Sequence, residues 1–193
     1  MTAGAVLGAA GDPLELFASD DAGQYLTILH TNDVHSRVEP FPPDDKKYPG
    51  MGGAAMIGLG LALAQPKRKV LVITGDGEML MGIGALATIA VQKPANLSIV
   101  VQDNEHYGET GMQQAHTQLG TELAGVARAA SFRAAGTIYT EAEVQEWVPR
   151  ILREPGPVFA DMKVKTDRGQ FILPPRDGTE LKLRFQQALR ANS

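Results

Sequence analysis

"VITGDGEMLMGIGALATIAVQKPANLSIVVQDNEHYG", residues 72–108, holds two apolar runs, each ending in a short polar turn. The first run enters Gly75-Asp76-Gly77 and then a helical stretch over 80–92. Glycine permits a tight turn and close backbone approach there. The helix start offers free N–H groups and about half a positive charge, a seat for phosphate. The second run, 97–103, ends at Asn104. If one crossover helix joins two neighbouring parallel strands, Asp76 and Asn104 come to the same sheet edge. A carboxylate, an amide oxygen and a backbone carbonyl near His106 make half an octahedron, which phosphate oxygens and water complete around Mg²⁺. Taken singly, the GDG reads equally well as a capped turn and the Asn as a strand-end residue. The pairing favours a metal–diphosphate site.

Working outward, "LTILHT" (26–31), "KVLVIT" (69–74), "LSIVVQD" (97–103), "GTIYT" (136–140) and "VFADMKV" (158–164) read as buried strands. Helical patterns fill 53–65, 80–92, about 112–130 and 141–154. The last of these has Thr140 as N-cap, acidic residues in its first turn and "EPGP" as its stop. A further helix, "GTELKLRFQQALR", follows the "LPPRDG" turn, and an N-terminal helical segment is expected over about 1–25. Alternating strands and helices predict an α/β fold, a mostly parallel sheet with helices on both faces. Such sheets bind ligands at the carboxyl ends of their strands.

The 193 residues suit one domain, 1–193, with 44% hydrophobic and 21% charged residues. A net charge of −4 argues against a nucleic-acid partner, and "KRK" at 67–69 reads as a solvated turn. The absence of cysteine excludes disulfides, zinc–thiolate sites and thiol nucleophiles. No apolar run has the length of a membrane span and no basic leader opens the chain, so a cytoplasmic protein is expected. "GMGGAA" and "GLGLAL" do not follow a strand in a βαβ unit and are not a dinucleotide fingerprint; neither a P-loop nor a GxSxG elbow occurs.

"GDGEMLMGIGALATIAVQKPANLSIVVQDNEHYGETGMQQ" resembles the diphosphate-binding domain of the thiamin-diphosphate enzymes, and the likeness runs over 48–193. The tail "PPRDGTELKLRFQQAL" is similar to that of small decarboxylase subunits acting on sulfopyruvate or phosphonopyruvate. The resemblance implies the thiamin-diphosphate-binding fold, with thiamin diphosphate and Mg²⁺ as cofactors. It implies that Asp76 and Asn104 ligate the metal by side chain and His106 by its carbonyl. Gly77 and Glu78 would offer N–H groups to the diphosphate, with Gly75, Tyr107 and Gly108 alongside. Met51 would sit under the cofactor and hold it bent, while the carbonyl near Pro49 or Gly50 accepts from the aminopyrimidine. The cofactor would take up the electrons left when a 2-oxo acid loses CO₂. The activating glutamate of such enzymes lies on a pyrimidine-binding domain, and no segment here resembles one. A hetero-oligomer with a pyrimidine-binding subunit is therefore implied.

"LTILHTNDVHSR" also resembles the first motif of 5′-nucleotidase-type metallophosphoesterases, with Asp33, His35 and Asp76 as metal ligands. That site needs further histidines. The four present stand at 30, 35, 106 and 116, and no GNHE or GHxH motif occurs. The stretch is also compatible with small decarboxylase subunits, which would bring Thr31 and Asn32 near the diphosphate and Arg37 toward substrate or partner. A non-catalytic regulatory subunit is the non-enzymatic alternative, against which the intact Asp76 and Asn104 argue.

Overall fold

The computed structural model describes residues 26–31, 53–108, 110–166 and 177–191, with backbone alone described at 26–31 and 189–191. Strands β1 (Leu26–Thr31), β2 (Lys69–Gly75) and β3 (Leu97–Asp103) follow the sequence reading closely. Helix α1 (Ala54–Ala64) joins the first two. Strand β2 runs straight into α2 (Asp76–Met81), and α3 (Ala85–Gln92) leads on to β3. The single helix expected over 80–92 is thus two helices, starting earlier at Asp76. Gly82 is the C-cap of one and Gly84 the N-cap of the other. Glycine is a poor helix interior residue, so the break falls there.

The helix expected over 112–130 is mostly something else. Strands β4 (His106–Tyr107) and β5 (Gln113–Gln114) form an antiparallel hairpin, and only α4 (Leu123–Ala129) is helical. Gly111, Met112 and Gly120 have positive φ, which a right-handed helix cannot hold. Strand β6 is Ala134–Ile138 rather than 136–140, because Tyr139 and Thr140 are used to start α5 (Glu141–Leu152). There Thr140 Oγ1 accepts from Glu143 N–H, and Glu143 Oε2 accepts from the N–H groups of Tyr139 and Thr140. Thr140 is the N-cap the sequence implied, and the reciprocal bonds make it a capping box. Strand β7 (Val158–Lys163) and helix α6 (Gly178–Ala191) complete the described elements. The expected N-terminal helical segment lies outside the described residues.

The five longer strands form one parallel sheet in the order β1-β2-β3-β7-β6. Val72, Ile99, Val101 and Phe159 pack on one face against α1 to α4, while Leu71, Val100 and Ala160 pack against α5 on the other. Right-handed crossovers explain this division. The chain steps from β1 to β3 and on to β6 in one direction, then reverses to insert β7. Two covered faces are why the strands read as continuous apolar runs rather than alternating ones. Gly58 lets α1 lie close on β2, since a Cβ there would collide with the Val72 side chain. Among the described residues no helix is long and apolar enough to cross a membrane.

Candidate metal–diphosphate site

Strands β2 and β3 are neighbours with Gly75 opposite Gln102, so Asp76 and the Asp103-Asn104 pair leave the sheet at one level. Thr31 ends β1 opposite Thr74, one strand further along the same edge. Asp76 opens α2 directly and is 2% exposed. Glu78, in the same first turn, is buried too, and its Oε1 accepts the Ala54 N–H at 2.8 Å. Its side chain thereby ties the start of α1 to the Gly-Asp-Gly turn, a role the sequence did not suggest.

At the end of β3 two side chains fold back on the backbone. Asp103 Oδ1 accepts from Glu105 N–H at 2.9 Å, and Asn104 Oδ1 from His106 N–H at 3.0 Å. Glu105 takes a left-handed φ of 63°, which turns the chain into the hairpin. The Glu105 and Tyr107 carbonyls accept from Ala115 and Met112 across that hairpin. Backbone groups alternate along a strand. The His106 carbonyl therefore faces out of the hairpin, on the side where its own N–H meets the Asn104 amide oxygen. A Cβ on Gly108 would lie 4.0 Å from Asn104 Nδ2, so that glycine adjoins the site. The Tyr107 hydroxyl turns instead to His116 Nδ1, at 2.9 Å, beside a pocket of about 270 Å³ lined by Leu80, Met81, Ile83 and Thr121.

Behind Asp76 lies a buried polar cluster. The Thr117 hydroxyl is 2.9 Å from Asp103 Oδ1 and 3.2 Å from Asp76 Oδ2. Lys163 Nζ donates to Asp103 Oδ2 at 2.7 Å and to Glu105 Oε1 at 2.9 Å. Burial and then the Asp103 charge push Asp76 up to about 7; the Thr117 hydroxyl and the N–H groups of Asp76 and Gly77 oppose this by hydrogen bonding to the carboxylate. Burial and then Asp103 likewise push Asp161 up to about 7, with Lys163 opposing. Burial alone would lower Lys163, but its hydrogen bonds to Asp103 and Glu105 override that and raise its pKa. Asp161 is 1% exposed, and its Oδ1 has no hydrogen-bond partner among the described residues. Beyond Asp76, one signal of this cluster was visible in sequence, an acid inside the apolar run "VFADMKV". Thr117 had none.

The three groups that the sequence nominates as ligands all present oxygens: the Asp76 carboxylate, the Asn104 amide and the His106 carbonyl. Such a hard set fits Mg²⁺ better than a thiophilic metal. A divalent cation would also offset the burial and the Asp103 repulsion that drive Asp76 toward its neutral form. Asn32, Asp33, His35, Gly50 and Met51 lie outside the described residues.

A family model described as "Thiamine pyrophosphate enzyme, C-terminal TPP binding domain" matches residues 21–162. The sulfopyruvate decarboxylase subunit beta of Methanothermobacter thermautotrophicus is 38% identical over 143 residues, 72% of each chain. The phosphonopyruvate decarboxylase of Streptomyces viridochromogenes is 35% identical over 115 residues, covering 60% of this chain and 28% of that protein. Among solved structures, the thiamine diphosphate-dependent 4-hydroxybenzoylformate decarboxylase of Rhodococcus jostii superposes with a TM-score of 0.58 at 22% identity. That match covers 86% of this chain and 34% of the other, and bears on the fold.

Proposed function

The chain belongs to the thiamine pyrophosphate enzymes, matching their C-terminal TPP-binding domain, and on that footing we propose that it is the diphosphate-binding subunit of a thiamin diphosphate- and Mg²⁺-dependent 2-oxo acid decarboxylase. In this reading residues 1–193 are one domain, and a pyrimidine-binding partner chain completes the enzyme as a hetero-oligomer. The observation that carries it is the register of Gly75 with Gln102, which delivers Asp76 and Asn104 to one edge, where the Asn104 amide oxygen accepts from the His106 N–H.

Asp76, Asn104 and the His106 carbonyl would hold Mg²⁺. The N–H groups of Gly77 and Glu78 would receive the diphosphate, with Gly75, Tyr107, Gly108, Thr31 and Asn32 around it. Met51 and the Gly50 carbonyl would meet the rings. Bound thiamin diphosphate supplies an electron sink for the pair left when CO₂ departs from a 2-oxo acid. This chain's part is to bind and orient that group through its phosphates and to keep water from the buried carboxylates beneath it.

The names of the relatives favour a small 2-oxo acid bearing a sulfonate or phosphonate as substrate, and a "subunit beta" name favours an unlike partner chain. A cytoplasmic setting suits a chain without cysteine. The phosphohydrolase alternative finds no support: the family match spans Asp33, His35 and Asp76 together. The deciding test mixes this chain with a pyrimidine-binding chain and follows CO₂ release from sulfopyruvate and phosphonopyruvate. Release should require both chains, Mg²⁺ and thiamin diphosphate. Release by this chain alone, or without the cofactor, would sink the reading.

A further inference from the structure

We propose that Thr117 is a positioning residue for the metal ligand Asp76, an inference that rests on the metal–diphosphate reading of the site. A carboxylate can swing about its Cα–Cβ and Cβ–Cγ bonds, and a metal ligand gains affinity when a neighbour fixes that orientation. Thr117 is the side chain whose hydroxyl reaches Asp76, at 3.2 Å from Oδ2. Held there, Asp76 keeps its other oxygen for the cation.

The hydroxyl has one proton and two acceptors within reach, the second being Asp103 Oδ1 at 2.9 Å. Asp103 does not depend on it. Its Oδ1 also receives the Glu105 N–H, and its Oδ2 receives Lys163. Thr117 is thus free to commit its proton to Asp76 when a metal draws on that carboxylate.

The loop that carries Thr117 is fixed to the hairpin bearing the third ligand. Ala115 N–H donates to the Glu105 carbonyl at 2.8 Å, and within the loop Thr121 N–H donates to the His116 carbonyl at 3.0 Å. Ala115 is fully buried and Thr117 is 6% exposed. The hydroxyl and the His106 carbonyl are therefore set by one piece of backbone, although Thr117 stands far from Asp76 in sequence.

The test is a direct Mn²⁺ titration of the full chain at saturating thiamin diphosphate, following free Mn²⁺ by its paramagnetic resonance. Thr117→Val keeps the shape and removes the hydroxyl; it should weaken Mn²⁺ binding by about 10–100-fold. Thr117→Ser keeps the hydroxyl and should bind Mn²⁺ like wild type, because the donor that acts on the ligand is retained. Should the valine variant fail to fold, Thr117→Ala against Thr117→Ser makes the same comparison. Unchanged affinity in Thr117→Val would overturn the inference and leave the site reading standing. Equal losses in the valine and serine variants would also overturn it, since the hydroxyl would then not be the agent. If wild type bound no Mn²⁺, or Asp76→Asn bound it as well as wild type, the site reading itself would fall.

Discussion

Glu78 Oε1 accepts the Ala54 N–H at 2.8 Å, so a buried carboxylate in the first turn of α2 holds the first residue of α1. Two helix starts that border the proposed cofactor are joined by this one bond. The carboxylate also lies where the α1 dipole favours negative charge.

Removing that acceptor leaves a buried N–H without its partner. Glu78→Ala should cost about 2 kcal/mol of stability and weaken thiamin diphosphate binding, because the two turns lose their common anchor. Glu78→Gln, which can still accept from Ala54, should recover most of the affinity. Paired denaturation and ligand titrations check both; equal cofactor binding in Glu78→Ala and wild type would refute the link.

Asp76 should control ligand-dependent stability. Thiamin diphosphate with Mg²⁺ at about 100 times the dissociation constant stabilises by about 2.7 kcal/mol, on the order of 5–10 °C in melting temperature for a chain this size. The shift should require both ligands and vanish in Asp76→Asn. Thermal melts with each ligand alone and together read this directly.

Asp161 gives a pH dependence. Its carboxyl is raised to about 7 in the fold from an ordinary 3.8, so the folded chain holds a proton that the unfolded chain releases. The contribution to stability is fully present below about 4 and is lost as pH rises through 7. Without ligands, wild type should therefore lose more melting temperature between pH 5 and pH 8 than Asp161→Asn does. Identical pH slopes in the two proteins would show that Asp161 is not raised.

Gly136 tests the scaffold apart from the site. A Cβ there would run into the Trp147 ring where α5 lies on β6. Gly136→Ala should cost about 1–3 kcal/mol by overpacking while leaving cofactor affinity at wild type once folded. Denaturant melts and a ligand titration of the same variant distinguish the two effects.

The sequence by itself determined the parallel-sheet class, the strands at 26–31, 69–74 and 97–103, the Thr140 cap and the Asp76–Asn104 pairing. Each of these rests on local chemistry: apolar runs long enough for a strand, a hydroxyl three residues before a glutamate, a Gly-Asp-Gly turn. The expected helices at 80–92 and 112–130 were broken by glycines and by a hairpin that bonds Met112 and Ala115 back to Tyr107 and Glu105. Only the tertiary structure decided that β7 lies between β3 and β6, and so that Asp161 and Lys163 stand behind Asp103. Only it brought the Thr117 hydroxyl to Asp76 and the Glu78 carboxylate to Ala54. Strand order and loop packing depend on which faces bury each other, and no periodicity within a single segment encodes that.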